Sequence, residues 1–438
     1  MAAEQGLASR RAALAVLEAV LGAGQALDTA LETVHAATRL DPRDRGLVRQ
    51  LVATVLRRQG EIDRLIKHCM DRPLAEKALT ARLILALGAA QLFYLDIPDH
   101  AAIATSVELA ARDRRARVRG FKNLINAVLR RLAREGRAWQ AQLDHERLAL
   151  PGWLWRRWCA AYGEAATRAT ARVISSPPPL DLTPRDAPAR AWMLRHMPAA
   201  QPLPQGSLRL QDAGPVEALP GYDQGYWWVQ DAAAAMPAQL LAPRPGDTVL
   251  DLCAAPGGKT LQLAMMGAHV TAIDAAPARL DRLRQNLARV KLDAHCLLAD
   301  AGQWRPANPV VHILLDAPCS STGTLRRRPD VALLKRPADI AAMAAVQRRL
   351  LAHAASLLAP GGVLVYAVCS LEPEESEQQI AQLLAGQDDL RRLPITESEA
   401  PGLAQALTPD GDLRILPGHW QALGGIDGFY IARLTSTA

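Results

Sequence analysis

The chain has 438 residues, half of them hydrophobic and 22% charged, with a formal net charge of +7. That length exceeds what one ordinary core supports, so two or three domains are expected, and the composition excludes a largely disordered chain. No apolar run approaches the roughly 20 residues needed to span a bilayer, so no membrane partner is expected.

The opening stretch, MAAEQGLASRRAALAVLEAV, carries Glu4 early and Glu18 within its apolar part. It reads as the start of a helix rather than a cleavable leader, and a cytoplasmic protein is expected. Residues 1–150 hold 24 Lys and Arg against 17 Asp and Glu, while the other 288 residues hold 27 of each. All the excess positive charge therefore lies in the first third, as it would in a module that docks a polyanion. Arg-rich helices are also common in Ala- and Arg-rich proteomes, so charge alone does not decide the partner.

From residue 8 to about 140, segments such as AALAVLEAVL, DRGLVRQLVATVLRR and LINAVLRRLA repeat apolar residues every three or four positions. This predicts an all-α domain over residues 1–145, with Asp41 and Pro42 capping one helix and Pro98 preceding another. SPPPLDLTPRDAP and LPGYDQGYWWVQD are rich in turns and short alternating runs. A small α+β linker domain is expected over 146–234, where Trp153, Trp155, Trp158, Trp227 and Trp228 need burial or a ligand. After residue 235, VLDLC, VTAID, VHILLDAP and VLVYAVCS alternate with helical patterns, which predicts a Rossmann-like doubly wound α/β domain over 235–438.

The first of these strands runs into Cys253-Ala254-Ala255-Pro256-Gly257-Gly258-Lys259-Thr260. A glycine turn at a strand end lets a ligand approach the backbone. The segment is not a P-loop, because Cys253 stands where the first glycine belongs and Pro256 removes an N–H that a phosphate cradle would use. Asp251, Asp274, Asp300 and Asp316 close four consecutive strands and form one rim. Each alone could be a helix cap, but together they point to a nucleoside-type cofactor. Asp274, about 20 residues beyond the turn, is placed to accept ribose hydroxyls. Spacing does not separate adenosylmethionine from a dinucleotide.

Six cysteines (Cys69, Cys159, Cys253, Cys296, Cys319, Cys369) in a chain this long do not form a disulfide framework. No C-x-x-C pair is present, so no metal site is expected. Cys253 and Cys296 read as small buried hydrophobes. Cys319 and Cys369 follow the fourth and fifth strands, and two thiols facing one pocket suit a particular chemistry. Carbon 5 of cytosine is too weak a nucleophile to take a methyl from a sulfonium. A thiolate adding to carbon 6 activates it, and a second group must then remove the carbon 5 proton. A carboxylic acid such as Asp316 would engage cytosine N3.

DLCAAPGGKT, DAPCSSTGTLRRRPD, VYAVCSLEPEESE and DGFYIARL resemble the RNA cytosine-5 methyltransferases of the Nol1/Nop2/Sun family. DPRDRGLVRQLVATVLRR and GFKNLINAVLRRL resemble a NusB-like antitermination-factor domain, and together the resemblance covers nearly the whole chain. It implies S-adenosyl-L-methionine as cofactor and a cytosine of small-subunit (16S) ribosomal RNA as substrate. It further implies Cys369 as nucleophile, Cys319 as the thiol assisting product release, and cofactor contacts at residues 253–259, Asp274, Asp300 and Asp316. Arg326, Arg327 and Arg328 are expected at the RNA backbone, and a monomer is expected. Three positions depart from the family pattern: Val368 for Thr, Ser376 for Asn, and Val331-Ala332-Leu333-Leu334 where an aromatic follows Asp330. A DNA enzyme would need a Pro-Cys-Gln turn and a target-recognition insert. A non-catalytic RNA-binding protein would leave the acidic strand ends unexplained.

Overall fold

The computed structural model describes residues 2–211 and 213–437. Two compact units emerge, one of residues 1–176 with 325–335 and the other of 177–324 with 336–438.

The first unit is helical, as its periodicity predicts. Leu79–Tyr94 is apolar around its whole circumference and forms the buried axis of the bundle. Around it pack Ala2–Ala23, Pro42–Arg57, Asp99–Ala111 and Lys122–Gln140. The expected cap is present: Asp41 accepts the N–H of Asp44 at 2.8 Å, with Pro42 in the first turn. Buried Arg10 donates to Gln91 Oε1 at 2.9 Å and so satisfies a polar pair inside the bundle.

The division differs from the boundaries expected at 145/146 and 234/235. Helix Gly152–Ile174, with Trp158 1% exposed, packs with the bundle. Strands β1 (Leu180–Pro184), β2 (Gln201–Pro202), β3 (Leu208–Leu210) and β4 (Trp227–Val229) form an antiparallel sheet, ordered β2-β3-β1-β4, that belongs to the second unit. A buried ion pair helps anchor it there. Arg209 meets both oxygens of Asp181 at 2.6 and 2.7 Å, and its Nη1 donates to the carbonyls of Leu423 and Gly425. Trp227 and Trp228 are both buried.

The large sheet contains β5 (Thr248–Leu252), β6 (His269–Asp274), β7 (His295–Leu298), β8 (Val310–Asp316), β9 (Leu358–Val368), β10 (Leu390–Arg392), β11 (Leu413–Ile415) and β12 (Phe429–Ser436). Its order is β10-β12-β9-β8-β5-β6-β7, with β11 also on β12. Strands β5 to β9 are parallel and β10 to β12 pair antiparallel. Both faces are buried. Val249, Leu314 and Val365 point into one core, and Leu250, Ile313 and Leu364 into the other. Strand order reverses between β5 and β8, which is where an open sheet of this kind holds its ligand.

Candidate active site

The loop after β5 turns on Gly257, whose φ of 105° is left-handed. A Cβ there would lie 2.9 Å from Leu283 Cγ, so only glycine fits. Helix Gly258–Met265 follows, and Gln230 next to the small sheet donates to Gln262 at 2.7 Å to fix it.

The four acids differ in role. Asp251 is fully buried; Oδ2 accepts from Thr260 at 2.6 Å, and Oδ1 has no hydrogen-bond partner among the described residues. Burial pushes its carboxyl up to about 7. Asp274 accepts from Ala255 N and Ala276 N at 3.1 and 3.0 Å, so it shapes the glycine loop as well as lining it. Arg279 Nη2 also lies 3.4 Å from Oδ2, while Oδ1 retains a second acceptor site. Asp300 lies below the usual carboxylate range because the Gly302 N–H and Arg349 hold its anion. Asp316 binds Lys259 Nζ at 2.7 Å, and that ammonium lies 5.2 Å from the Phe429 ring centroid.

The cysteines are brought together by register. Asp316 on β8 is level with Ala367 on β9, and Ala317 N donates to Ala367 O at 2.9 Å. Pro318 cannot continue the ladder. Cys319 and Cys369 therefore meet just past the sheet, with their Sγ atoms 3.4 Å apart. Ser321 Oγ lies 3.7 Å from Cys369 Sγ and 4.0 Å from Cys319 Sγ.

The two thiols are not equivalent. The hydrogen bond from Cys319 lowers the Cys369 pKa, aided by Ser321 and the Lys259 charge, against burial and Asp316. The same bond, with burial and the negative charges of Cys369 and Glu375, raises Cys319. The pair is therefore biased: Cys369 is the thiol held toward its charged form and Cys319 the one held toward its neutral form. By contrast, burial pushes the Cys253 thiol up to about 12 and leaves it inert, and burial also raises Cys296.

The arginine expectation needs correcting. Arg326 is 1% exposed, a buried member of the first unit, where its carbonyl accepts from Arg57 Nη2 at 2.9 Å. It is not at the surface to meet a phosphate. Arg327 is exposed and Arg328 half-exposed. Asp330 is also buried and accepts the N–H of Leu27, at the start of helix Leu27–Ala37, at 3.0 Å. Val331–Leu334, which stands where the family pattern has an aromatic, is a short helix with Leu333 and Leu334 packed on the bundle. Aliphatic residues fit that core contact.

Sequence reasoning passed over Glu375, Ser320 and Ser370, all fully buried beside the thiols. The available signal was a serine directly after each cysteine, followed by an acid in the PEE run.

A doubly wound sheet with a glycine turn and acids at its switch point suits a nucleoside-type cofactor, and the family match makes the chain a methyltransferase with S-adenosylmethionine as that cofactor. The chain belongs to the 16S rRNA methyltransferase RsmB/F family, which it matches over residues 238–435, and it matches the NusB family over residues 7–134. Ribosomal RNA small subunit methyltransferase B of Cronobacter sakazakii is 35% identical over 439 residues, spanning 97% of this chain and 98% of that one. The protein of the same name from Pseudomonas syringae pv. tomato is 36% identical over 444 residues, spanning 98% and 97%. A solved methyltransferase homolog protein from Pyrococcus horikoshii superposes with a TM-score of 0.53 at 26% identity, covering 64% of this chain and 93% of that one. The residues present fit the cofactor: the glycine turn is open to close approach, and Asp274 Oδ1 keeps acceptor capacity for a ribose hydroxyl.

Proposed function

We propose that the protein methylates carbon 5 of a cytosine in 16S ribosomal RNA, with Cys369 as covalent nucleophile. The observation that carries this reading is the pair of thiols 3.4 Å apart past the ends of β8 and β9, with Cys369 lowered and Cys319 raised by their contact. Residues Cys253 to Lys259, with Asp274, Asp300 and Asp316, would hold S-adenosylmethionine, which supplies an electrophilic methyl group when bound.

Cys369 thiolate adds to carbon 6 of the base, and the displaced electron pair makes carbon 5 nucleophilic. Asp316, held by Lys259, engages the N3 edge of the ring. Bonding to carbon 6 removes the charge on Cys369. The leading cause that keeps Cys319 protonated disappears with it. Cys319 then releases its proton to solvent and takes the one on carbon 5, and elimination frees Cys369 and the product. The reversed assignment, with Cys319 attacking, would use the thiol whose pKa is raised.

A flipped or single-stranded base is required, and unpaired RNA supplies one. Arg327 and Arg328 contact the backbone, while the net positive first third docks the rest. The protein acts as a monomer in the cytoplasm. Digesting 16S RNA treated with labelled S-adenosylmethionine should give labelled 5-methylcytidine with the wild type and none with Cys369→Ala. Label in another nucleoside, or full activity of the variant, would overturn the proposal.

A further inference from the structure

A buried carboxylate ties the two cysteine loops together. Glu375, fully buried, follows β9 on a one-turn 3₁₀ helix, Pro373–Glu375. Its Oε1 accepts the N–H of Ser320 at 2.8 Å and Gln347 Nε2 at 3.2 Å. Its Oε2 accepts the hydroxyls of both Ser320 and Ser370. Four contacts fill the four acceptor sites of a carboxylate, and these hydrogen bonds oppose the burial that raises the Glu375 pKa.

The two serines directly follow the two cysteines. Gln347 also donates to Pro318 O at 2.9 Å, directly before Cys319. Ser370 Oγ accepts from Glu372 N at 3.0 Å, Tyr366 OH donates to Glu375 O at 2.7 Å, and Ser376 Oγ donates to Glu372 O at 2.9 Å. The clip is therefore braced from β9, from the turn that carries it and from helix Pro337–Ser356.

We infer that Glu375 is a positioning residue for the two-thiol site: it holds the Cys319 and Cys369 loops in the register that sets their sulfur–sulfur contact. It does not touch the base or the methyl donor in this account. Its negative charge also contributes to keeping the proton on Cys319. Loss of the carboxylate would loosen the S–H···S bond and return Cys369 toward an ordinary thiol. This rests on the reading of Cys369 as nucleophile, and its primary readout needs no RNA.

The test compares Glu375→Gln and Ser370→Ala with the wild type in the full chain. Carbamidomethylation of Cys369 by iodoacetamide is followed across pH by peptide mass spectrometry, alongside cofactor affinity and methyl transfer. In Glu375→Gln, the Cys369 profile should move to higher pH, with alkylation at pH 7 slowed roughly threefold to tenfold. Cofactor Kd should stay within about twofold, while kcat falls on the order of tenfold to a hundredfold, as misplaced reacting groups do. Ser370→Ala removes one of the four donors and should shift the profile in the same direction by less. A folded variant with a wild-type Cys369 profile overturns the inference and leaves Glu375 a packing residue. A shifted profile alongside an active Cys369→Ala would uphold the clip and refute the nucleophile assignment instead.

Discussion

Gly323→Ala tests how tightly the thiol geometry is built. Gly323 has no left-handed φ, so the constraint is space alone. A Cβ at this position would lie 2.0 Å from the carbonyl oxygen of Gly428 and 3.0 Å from that of Cys369. Ordinary carbon–oxygen contact is over 3 Å, so the loop carrying Cys319 must retreat by roughly 1 Å. Two hydrogen bonds stand in the way: Gly323 N to Cys369 O at 3.0 Å and Gly428 N to Gly323 O at 2.8 Å. Leaving such buried groups unpaired costs about 1–3 kcal/mol each, so a stability loss of about 2–6 kcal/mol is expected. A displacement of that size between reacting groups lowers kcat about a hundredfold. The assay is methyl transfer at saturating cofactor and RNA, beside a thermal melt and a cofactor titration. Cofactor affinity should be nearly unchanged, because the turn at Gly257 is built on a different strand. A kcat within threefold of wild type would show that the thiols tolerate the shift and would refute the argument.

Asp274→Ala should weaken cofactor binding by about ten- to a hundredfold, the worth of roughly 1.5–3 kcal/mol of charge-assisted bonding, and calorimetry showing no change would reduce the residue to a loop brace. Glu399→Gln probes a carboxyl that Arg433 holds down to about 2. Its side chain is 35% exposed, so screening limits the effect to about 1 kcal/mol at pH 7. Because the folded value is depressed, this stability is present above the unfolded pKa of about 4.3 and is lost as pH falls toward 2. Melts of the two proteins should converge over that window, and a constant gap would contradict the assignment.

Much of the second unit was legible because strand-end residues carry both fold and chemistry. Parallel strands buried on both faces read as apolar runs, and each run ended in an acid or a cysteine. What spacing did not reveal was that Asp274 also accepts backbone N–H groups, or that Lys259 pairs with Asp316. The Ala255 and Lys259 contacts arise between segments distant in sequence. The arginine run misled for a related reason. Three consecutive basic residues look like a solvated loop, yet residues 325–335 are threaded into the helical unit, which buries Arg326 and Asp330. The small sheet and helix Gly152–Ile174 are adjacent in sequence but fold into different units. Local composition placed them together, and the bonds from buried Arg209 to the carbonyls of Leu423 and Gly425 help explain why the sheet goes the other way.

The central claim is the division of labour between the two thiols, and Cys319→Ala tests it most directly. Without Cys319, attack by Cys369 and methylation of carbon 5 remain open, but proton removal fails and the enzyme is trapped on its product. Loss of the Cys319 hydrogen bond also raises the Cys369 pKa, so the trapped species should form slowly and faster at higher pH. Incubation with 16S RNA and S-adenosylmethionine should give a protein–RNA band that survives a denaturing gel and requires the cofactor. Cys369→Ala and the double variant should give none. A band in Cys369→Ala and none in Cys319→Ala would contradict the account by exchanging the roles of the two cysteines.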